Sequence, residues 1–373
     1  MLFRSVVPLA VACAALAGSR TLPGPSGVVL PARAGVRAVF AYASAGLLIC
    51  MAAFRDRIGT DYGQYARSYA YEYREWRWAD FSWSDEPGIR ILTWISVRIY
   101  DDPVTLMALA ALITIGLFMK VYEKYSTFFA LSVLFFVLVG AWHGAFNGVR
   151  QYLAAAIVVA GHHLILDRKF VRYLLLVAVA ALFHISAWVL ILLYFVPRRK
   201  MTPVATIVLI SVSLFAANGY ELAGSVISAI GDGDPTSTAY FTRNLHPLRI
   251  ALAFVPYVAY LFFSDKERLS ERSQFHINIA LLYGAMYAAV WGSAHLARFA
   301  IYLAPFVALA VPAVLDAPPK RTRPILMLVL IVVYFGFWYI EVSGSPELNP
   351  YRWNFGTSQN MLPSALGARL GTG

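Results

Sequence analysis

The stretch "RKFVRYLLLVAVAALFHISAWVLILLYFVPRRK", residues 168–200, decides how this chain folds. Its apolar run from Val171 to Val196 lies between two basic clusters, residues 168–172 and residues 198–200. A single crossing would place one basic cluster on each side of the membrane, which the positive-inside rule disfavours. A re-entrant hairpin with its tip at "FHIS", residues 183–186, would leave both clusters on one side. We therefore favour the hairpin and keep the single crossing as the alternative.

The composition of the whole chain predicts an all-α polytopic membrane protein. Of its 373 residues, 60% are hydrophobic and 14% are charged, whereas soluble domains carry about 25% charged residues. A helix needs roughly 20 apolar residues to cross the hydrocarbon. By this criterion the chain forms about ten or eleven transmembrane helices in one integral membrane domain, residues 1–373. The candidate spans are Phe3–Gly18, Val36–Phe54, Val104–Val121, Thr127–Trp142, Gly148–Leu166, Pro203–Ala217, Pro247–Phe263, Phe275–Trp291, Phe299–Leu315 and Pro324–Val342.

The distribution of charge predicts which loops face the cytoplasm. With the hairpin, one side of the membrane holds seventeen Lys and Arg against six Asp and Glu, while the rest of the chain holds fourteen of each. The net charge of +11 therefore falls on one face, as the positive-inside rule expects of the cytoplasmic side. Two larger loops, residues 55–102 and 218–246, then lie outside the cytoplasm. The first apolar segment, which ends in "ALAGS", could instead be a cleavable signal sequence.

The first outer loop opens with "RDRIGTDYGQYARSYAYEYREWRW", residues 55–78, which is far more polar and aromatic than its surroundings. Spacings of three and four predict that five rings share one helix face; these are Tyr62, Tyr65, Tyr69, Tyr73 and Trp76. The rings either anchor an amphipathic helix in the headgroup layer or form a stacking platform for sugars. Asp61 is a natural N-cap of this helix. It is also a candidate catalytic carboxylate, with Arg57 beside it as an anion contact.

Further polar side chains are predicted near the same membrane surface. Arg150 and Arg298 each begin an apolar helix, where they either extend to the headgroups or bind an anionic ligand. His184 lies at the hairpin tip, where an ionisable group inside a membrane protein suggests function, although a hydrogen bond to a nearby carbonyl would also explain it. Glu86, in "DEPGIRIL", is either a partner of the following helix dipole or a general base.

The order of several short motifs resembles that of the EpsG family of bacterial exopolysaccharide proteins, which are Wzy-like polymerases. The motifs are "RDRIGTDYGQY", "EPGIRIL", "FNGVRQYLAAAIVVAG", "RKFVRYLLLVAVAALFHISAWVLIL" and "NPYRW". The matching positions are Arg57, Gly59, Asp61, Tyr62, Tyr65, Glu86, Gly88, Arg150, His184, Ser186, Pro350 and Tyr351. The resemblance implies a membrane glycosyltransferase that joins polyprenyl-diphosphate-linked oligosaccharides, such as undecaprenyl diphosphate units, on the outer face of the cytoplasmic membrane.

This reaction needs a base for the acceptor hydroxyl and cations for the departing diphosphate. We expect Asp61 or Glu86 as the base, His184 as an orienting or proton-shuttling group, and Arg150 and Arg298 as a diphosphate clamp. Arg57, Tyr62, Tyr65 and Tyr351 are expected to contact substrate. The expected partners are the lipid-linked oligosaccharide, membrane lipid, and a flippase and chain-length regulator, with no nucleic acid.

We expect no cofactor. "DGD" at residues 232–234 has the spacing of a metal-binding motif, but Asp-Gly pairs are more often turns. Two other functions remain alternatives: a flippase for lipid-linked oligosaccharide, and a membrane O-acyltransferase that uses His184 or His295 as its base. A flippase would carry polar residues along a path to both membrane faces, whereas the unusual polar residues here gather on one face.

Overall fold

The computed structural model describes residues 2–18, 21–23, 29–31, 34–83, 85–230, 245–264, 269–291, 293, 296–345, 348 and 351–354. For residues 2–5, 21–23, 29–31, 34 and 217–230 it describes the backbone alone. Of the second predicted outer loop, residues 218–246, residues 231–244 lie outside the described residues, whereas residues 218–230 are helical and continue the helix that begins at Pro203, so the prediction of a loop there is wrong. The "DGD" at 232–234, His295 and Pro350 also lie outside the described residues.

The described chain is almost entirely helical. Its helices are α1 Leu2–Gly18, α2 Ala34–Ala53, α3 Tyr62–Ser68, α4 Pro87–Ile99, α5 Pro103–Tyr125, α6 Phe129–Leu138, α7 Ala141–Gly144, α8 Val149–Ala160, α9 His163–Leu166, α10 Phe170–Ala181, α11 Pro203–Ile230, α12 Pro247–Phe263, α13 Glu271–Ala289, α14 Ala304–Asp316 and α15 Arg323–Ser343. A π-helical turn at Tyr69–Tyr73 and 3₁₀ helices at Trp78–Asp80, Ile185–Phe195 and Leu296–Tyr302 complete them. Two three-residue strands, β1 Thr21–Pro23 and β2 Val29–Pro31, pair antiparallel.

The all-α polytopic membrane fold predicted from the sequence is confirmed. Four helical stretches among the described residues are long and apolar enough to cross a membrane: Gly35–Ala53, Pro103–Tyr125, Val149–Leu166 and Arg323–Ser343. The pair Leu296–Tyr302 and Ala304–Asp316, bent by 51°, makes a fifth if it is one span. Several other candidate spans coincide with apolar helices of 10–17 residues. The count of ten or eleven crossings stays a prediction, because these helices are individually short for the hydrocarbon.

The segment between the two basic clusters folds as the predicted hairpin. Helix α10 runs to the tip, and the 3₁₀ helix Ile185–Phe195 returns beside it. The Tyr173 hydroxyl donates a hydrogen bond to the Leu190 carbonyl at 2.6 Å. At the end of the hairpin opposite the tip, the ring centres of Phe170 and Tyr194 lie 4.9 Å apart. Both basic clusters therefore lie at the same end of the hairpin, and His184 lies at the other.

The aromatic residues of the first loop occupy one face, as their spacing predicts, but that face is buried against protein. The exposed fraction is 7% or less for all five rings: Tyr62, Tyr65, Tyr69, Tyr73 and Trp76. Three of them pack on apolar residues of α4, α5 and α8, among them Ile89, Met107 and Leu153. The interpretation of this face as a set of headgroup anchors or an open sugar platform is therefore wrong. The exposed rings are others, including Trp78 and Trp83.

The start of α4 rests directly on the hairpin tip. The Gly88 N–H donates to the Leu182 carbonyl at 2.8 Å. A Cβ atom on Gly88 would lie 2.9 Å from that carbonyl oxygen and 2.9 Å from the Phe183 ring. Only glycine permits so close an approach, which sets Glu86 beside His184.

Replacing Gly88 by alanine is therefore expected to separate α4 from the hairpin tip. Overpacking of this kind costs about 1–3 kcal/mol, measurable as a lower midpoint of thermal unfolding in detergent. Gly116→Ala is the matched control, because a Cβ on Gly116 meets nothing within 4 Å and alanine favours helix. Equal midpoints for the two variants would contradict this contact.

Candidate functional site

Three ionisable residues from distant parts of the sequence meet beside the hairpin tip. Glu86 immediately precedes α4, Arg150 lies in the first turn of α8, and His184 precedes the returning 3₁₀ helix. Glu86 Oε2 lies 2.5 Å from Arg150 Nη1, and Glu86 Oε1 lies 2.6 Å from His184 Nδ1. The Ile185 N–H also donates to Glu86 Oε1, at 3.2 Å. The sequence singled out each of these three residues, and the fold brings them into one cluster.

The surroundings of Glu86 favour its ionised form. Burial would raise the pKa of this carboxyl group, but the hydrogen bond from His184 and the positive charge of Arg150 outweigh burial and lower the pKa below its ordinary value. The Glu86 side chain is 13% exposed, and its backbone has φ 46° and ψ 59°, a left-handed conformation. Such strain in a non-glycine residue costs about 1–3 kcal/mol and is concentrated at functional sites.

Glu86 also fixes the tautomer of His184. An ionised carboxylate accepts hydrogen bonds, so the Nδ1 atom facing it carries the proton in the neutral ring. The ring's Nε2 forms no hydrogen bond among the described residues, and the His184 side chain is 28% exposed. His184 can therefore accept a proton at Nε2 from a group that approaches the site.

Arg150 is held from two sides. Its backbone N–H donates to the Tyr65 hydroxyl at 3.3 Å, and its guanidinium carbon lies 6.0 Å from the centre of the Tyr65 ring. Its Nη1 contacts Glu86, as described above. Tyr65 thus supports Arg150 from the buried face of the first loop instead of presenting a ring to substrate.

Next to this cluster is a polar cavity of about 270 Å³. Arg298, the second predicted clamp residue, lines it together with Thr60. Arg249, at the start of α12, and Glu341, near the end of α15, form an ion pair in its wall. Neither residue was predicted from the sequence. The available signal was a single acidic residue in the apolar helix α15 and a basic residue two positions after Pro247.

The cluster and the cavity are joined by the 3₁₀ helix Leu296–Tyr302. Gln151, which follows Arg150 in sequence, donates a hydrogen bond from Nε2 to the Arg298 carbonyl at 2.8 Å. Ser186 lies two residues beyond His184, and its hydroxyl group lies 2.7 Å from the hydroxyl group of Tyr302. This 3₁₀ helix therefore contacts the neighbours of Arg150 and His184 and, through Arg298 and Ile301, also lines the cavity.

The remaining predicted site residues have mixed surroundings. Asp61 is partly exposed at the N-cap position of α3, where its side chain makes no capping bond and accepts a hydrogen bond from Thr60 at 3.1 Å. Arg57 is exposed, with a left-handed φ of 52°. Tyr62 and Tyr351 lie near Arg55, and the Tyr351 hydroxyl donates to the Met51 carbonyl. Their contacts stabilise the junction of the first loop with the C-terminal segment.

That junction is organised by Arg55, the first residue of the predicted outer loop. Its side chain is buried, and its Nη2 donates to the Phe146 carbonyl at 3.1 Å. Its backbone pairs with Trp353 in an isolated antiparallel bridge. Arg55 is thus a structural residue that joins α2, the residues before α8 and the C-terminal segment.

Metal ligands are sparse in the described part of the chain. Among the described residues, no three His, Cys, Asp or Glu side chains lie together as a metal site would require.

The lowered pKa of Glu86 predicts how stability depends on pH. A carboxyl group with a depressed folded pKa stabilises the fold fully above its ordinary value of 4.5, and this contribution is lost as the pH falls through the lowered folded value. The difference in unfolding midpoint between the wild type and Glu86→Gln should therefore persist down to about pH 5 and shrink below about pH 4. Thermal unfolding of both proteins in detergent at several pH values measures this difference in midpoint. A difference that collapses already above pH 5 would contradict the lowered pKa.

Comparison with known proteins identifies the family. The model of the EpsG family matches residues 39–353, most of the chain. The match includes the cluster, the cavity and both ends of the hairpin. No curated protein and no solved structure matches the chain.

Proposed function

Since the chain belongs to the EpsG family, whose members are associated with polysaccharide biosynthesis, we propose that it is a polymerase of lipid-linked oligosaccharides. It joins polyprenyl-diphosphate-linked repeat units on the outer face of the cytoplasmic membrane. The observation that carries the proposal is the cluster of Glu86, Arg150 and His184 beside a cavity with a further arginine. This arrangement offers a proton acceptor next to cations, which glycosyl transfer from a diphosphate requires.

In the proposed reaction, a hydroxyl oxygen of the acceptor unit attacks the anomeric carbon of the donor. A new glycosidic C–O bond forms, and the bond between the anomeric carbon and the diphosphate oxygen breaks. The hydroxyl proton passes to a base on the protein, and the diphosphate leaves with its electron pair. Direct displacement inverts the anomeric carbon.

In-line displacement separates the base from the leaving group. The base and the leaving group lie on opposite sides of the anomeric carbon. Two side chains in direct contact therefore cannot act as the base on one side and as the cation for the leaving group on the other. Glu86 Oε2 lies 2.5 Å from Arg150 Nη1, so these two side chains are in direct contact. We therefore revise the sequence-based assignment, which made Glu86 a base and Arg150 part of the diphosphate clamp.

In the revised assignment, His184 accepts the proton at Nε2. Glu86 holds the imidazole in the required tautomer and stabilises the imidazolium that forms, as carboxylates do for catalytic histidines. Arg150 keeps Glu86 ionised and in position. Glu86 and Arg150 are thus positioning residues, and Asp61 remains the alternative base.

Arg298 is proposed to bind the diphosphate. Its side chain is exposed at the cavity and forms no ion pair among the described residues. An unpaired arginine carries a full positive charge to a phosphate oxygen, whereas Arg150 and Arg249 are each neutralised by a glutamate.

The lipid-linked material in a strain that lacks this gene tests the proposal against its two alternatives. Loss of a polymerase should leave single repeat units on polyprenyl diphosphate, accessible to a glycosidase added outside the cell membrane. Single units that are protected from the glycosidase would instead indicate a flippase. Polymer of normal length with fewer acyl groups would indicate an acyltransferase.

A further inference from the structure

The cavity beside the cluster has the lining of a ligand site. Its wall contains the Arg249–Glu341 ion pair, contributed by α12 and α15. His143 closes another side and is 7% exposed, and its Nδ1 has no hydrogen-bond partner among the described residues. A Cβ on Gly140 would lie 3.5 Å from the His143 ring and 3.9 Å from Glu341 Oε2. The imidazole, through Cε1 and Nε2, and the Glu341 carboxylate thus lie beside the same glycine of the cavity lining.

Aromatic rings supply part of the remaining wall. Tyr283 and Tyr287 lie in the lining with their ring centres 4.9 Å apart, and Phe337 stands over Arg249 at 5.8 Å. Aromatic faces pack on the C–H faces of sugar rings, while paired arginine and glutamate groups donate to and accept from sugar hydroxyls. Apart from Arg298, this lining therefore suits an uncharged, hydroxyl-rich ring better than an anion.

The size of the cavity limits how much ligand it holds. At about 270 Å³, it lies just below the range of about 300–1,000 Å³ typical of sites for drug-sized ligands. It has room for one monosaccharide ring and not for a whole oligosaccharide repeat.

We propose that this cavity binds the first sugar of the donor, the one whose anomeric carbon carries the diphosphate. The inference rests on the proposed function and extends it to the choice of substrate. Arg298 connects the two, because it lines the same cavity and is the unpaired cation assigned to the diphosphate. A sugar seated between His143 and Glu341 holds its anomeric carbon towards Arg298. The cavity would then select which sugar can begin a transferable chain.

Two soluble analogues isolate the contribution of the sugar. One is a short-chain prenyl diphosphate that carries the reducing-end sugar of the organism's own repeat unit. The other is the same prenyl diphosphate without the sugar. Calorimetric titration of the purified full-length protein in detergent gives a dissociation constant for each, and their ratio measures binding of the sugar alone.

The wild type is expected to bind the sugar-bearing analogue about ten- to a hundred-fold more tightly, as one or two hydrogen bonds to charged groups would give. Glu341→Gln should reduce this ratio about tenfold, while the sugar-free analogue should bind at least as tightly as before, because Arg249 then carries an unpaired positive charge. Because Glu341→Gln leaves Arg249 without its partner, the double variant Arg249→Met with Glu341→Leu is the second test. Replacing both members of an ion pair by apolar residues usually preserves folding. Glu123→Gln, an exposed carboxylate on α5, is the control.

The outcomes separate this inference from the proposed function. A ratio near one in the wild type, or a ratio unchanged in both variants, overturns the sugar site even if the protein polymerises repeat units. A preference that is lost in both variants and kept in Glu123→Gln supports it, whether or not polymerisation is later demonstrated. Failure of the wild type to bind either analogue overturns the inference and the diphosphate-binding function together.

Discussion

Glu86→Gln is expected to lower the rate of polymerisation by about 10²–10⁴-fold. The neutral amide of glutamine no longer stabilises the imidazolium that forms when His184 takes the proton. An N–H₂ group in place of Oε1 would also face His184 Nδ1 and drive the ring's proton to Nε2, where the ring cannot act as a base, whereas an N–H₂ group in place of Oε2 would face Arg150. Loss of the orienting carboxylate has an effect of this size in catalytic triads, and general base catalysis contributes about 10²–10⁴-fold.

The experiment compares initial rates of glycan extension by purified variants in nanodiscs, with protein amounts matched by fluorescence-detected size exclusion. Asp85→Asn is the control, because Asp85 is the preceding carboxylate and also forms an arginine pair, 2.5 Å from Arg90. The Asp85 side chain is 53% exposed, and exposed ion pairs contribute little. Similar rates for the two variants would remove Glu86 from the mechanism.

Arg150→Ala is expected to abolish polymer formation and also to destabilise the protein. It leaves the partly buried Glu86 carboxylate without its cation, and the loss of one partner of a buried polar group costs about 1–3 kcal/mol. Arg150→Lys restores the charge but not the geometry, because a lysine ammonium cannot reproduce the planar guanidinium between Glu86 and the Tyr65 ring. We expect the lysine variant to recover most of the stability and only a small part of the rate.

Separate measurements distinguish these two effects. The thermal midpoint in detergent reports stability, and the rate of glycan extension by folded protein reports catalysis. Arg90→Lys is the control, since Arg90 pairs with the exposed Asp85 near the same end of α4. A full rate for Arg150→Lys would contradict a positioning role that depends on the guanidinium geometry.

Much of the fold follows from simple patterns in the sequence. The two basic clusters around residues 171–196 predict the hairpin, and the spacing of the tyrosines predicts their common helix face. The role of that face could not be predicted, because an apolar stripe does not reveal whether lipid, sugar or protein covers it. Contacts with Ile89 and Leu153, which are distant in sequence, decide the matter.

The site was only partly predictable for a related reason. Glu86, Arg150 and His184 are conspicuous as polar residues at helix starts and at the hairpin tip. Their direct contact depends on the close approach of Gly88 to Leu182, which no sequence pattern encodes. Arg249 and Glu341 are each unremarkable at a helix end, and their significance appears only when α12 and α15 are set side by side.

The most direct test of the proposed polymerase uses purified protein in nanodiscs with the organism's own repeat unit on undecaprenyl diphosphate. Release of undecaprenyl diphosphate is followed together with the length of the lipid-linked glycan. The account predicts a ladder of products, with one diphosphate lipid released for each unit added, and loss of both signals in Glu86→Gln. Authentic repeat units that cross a proteoliposome membrane without any ladder or release would contradict it.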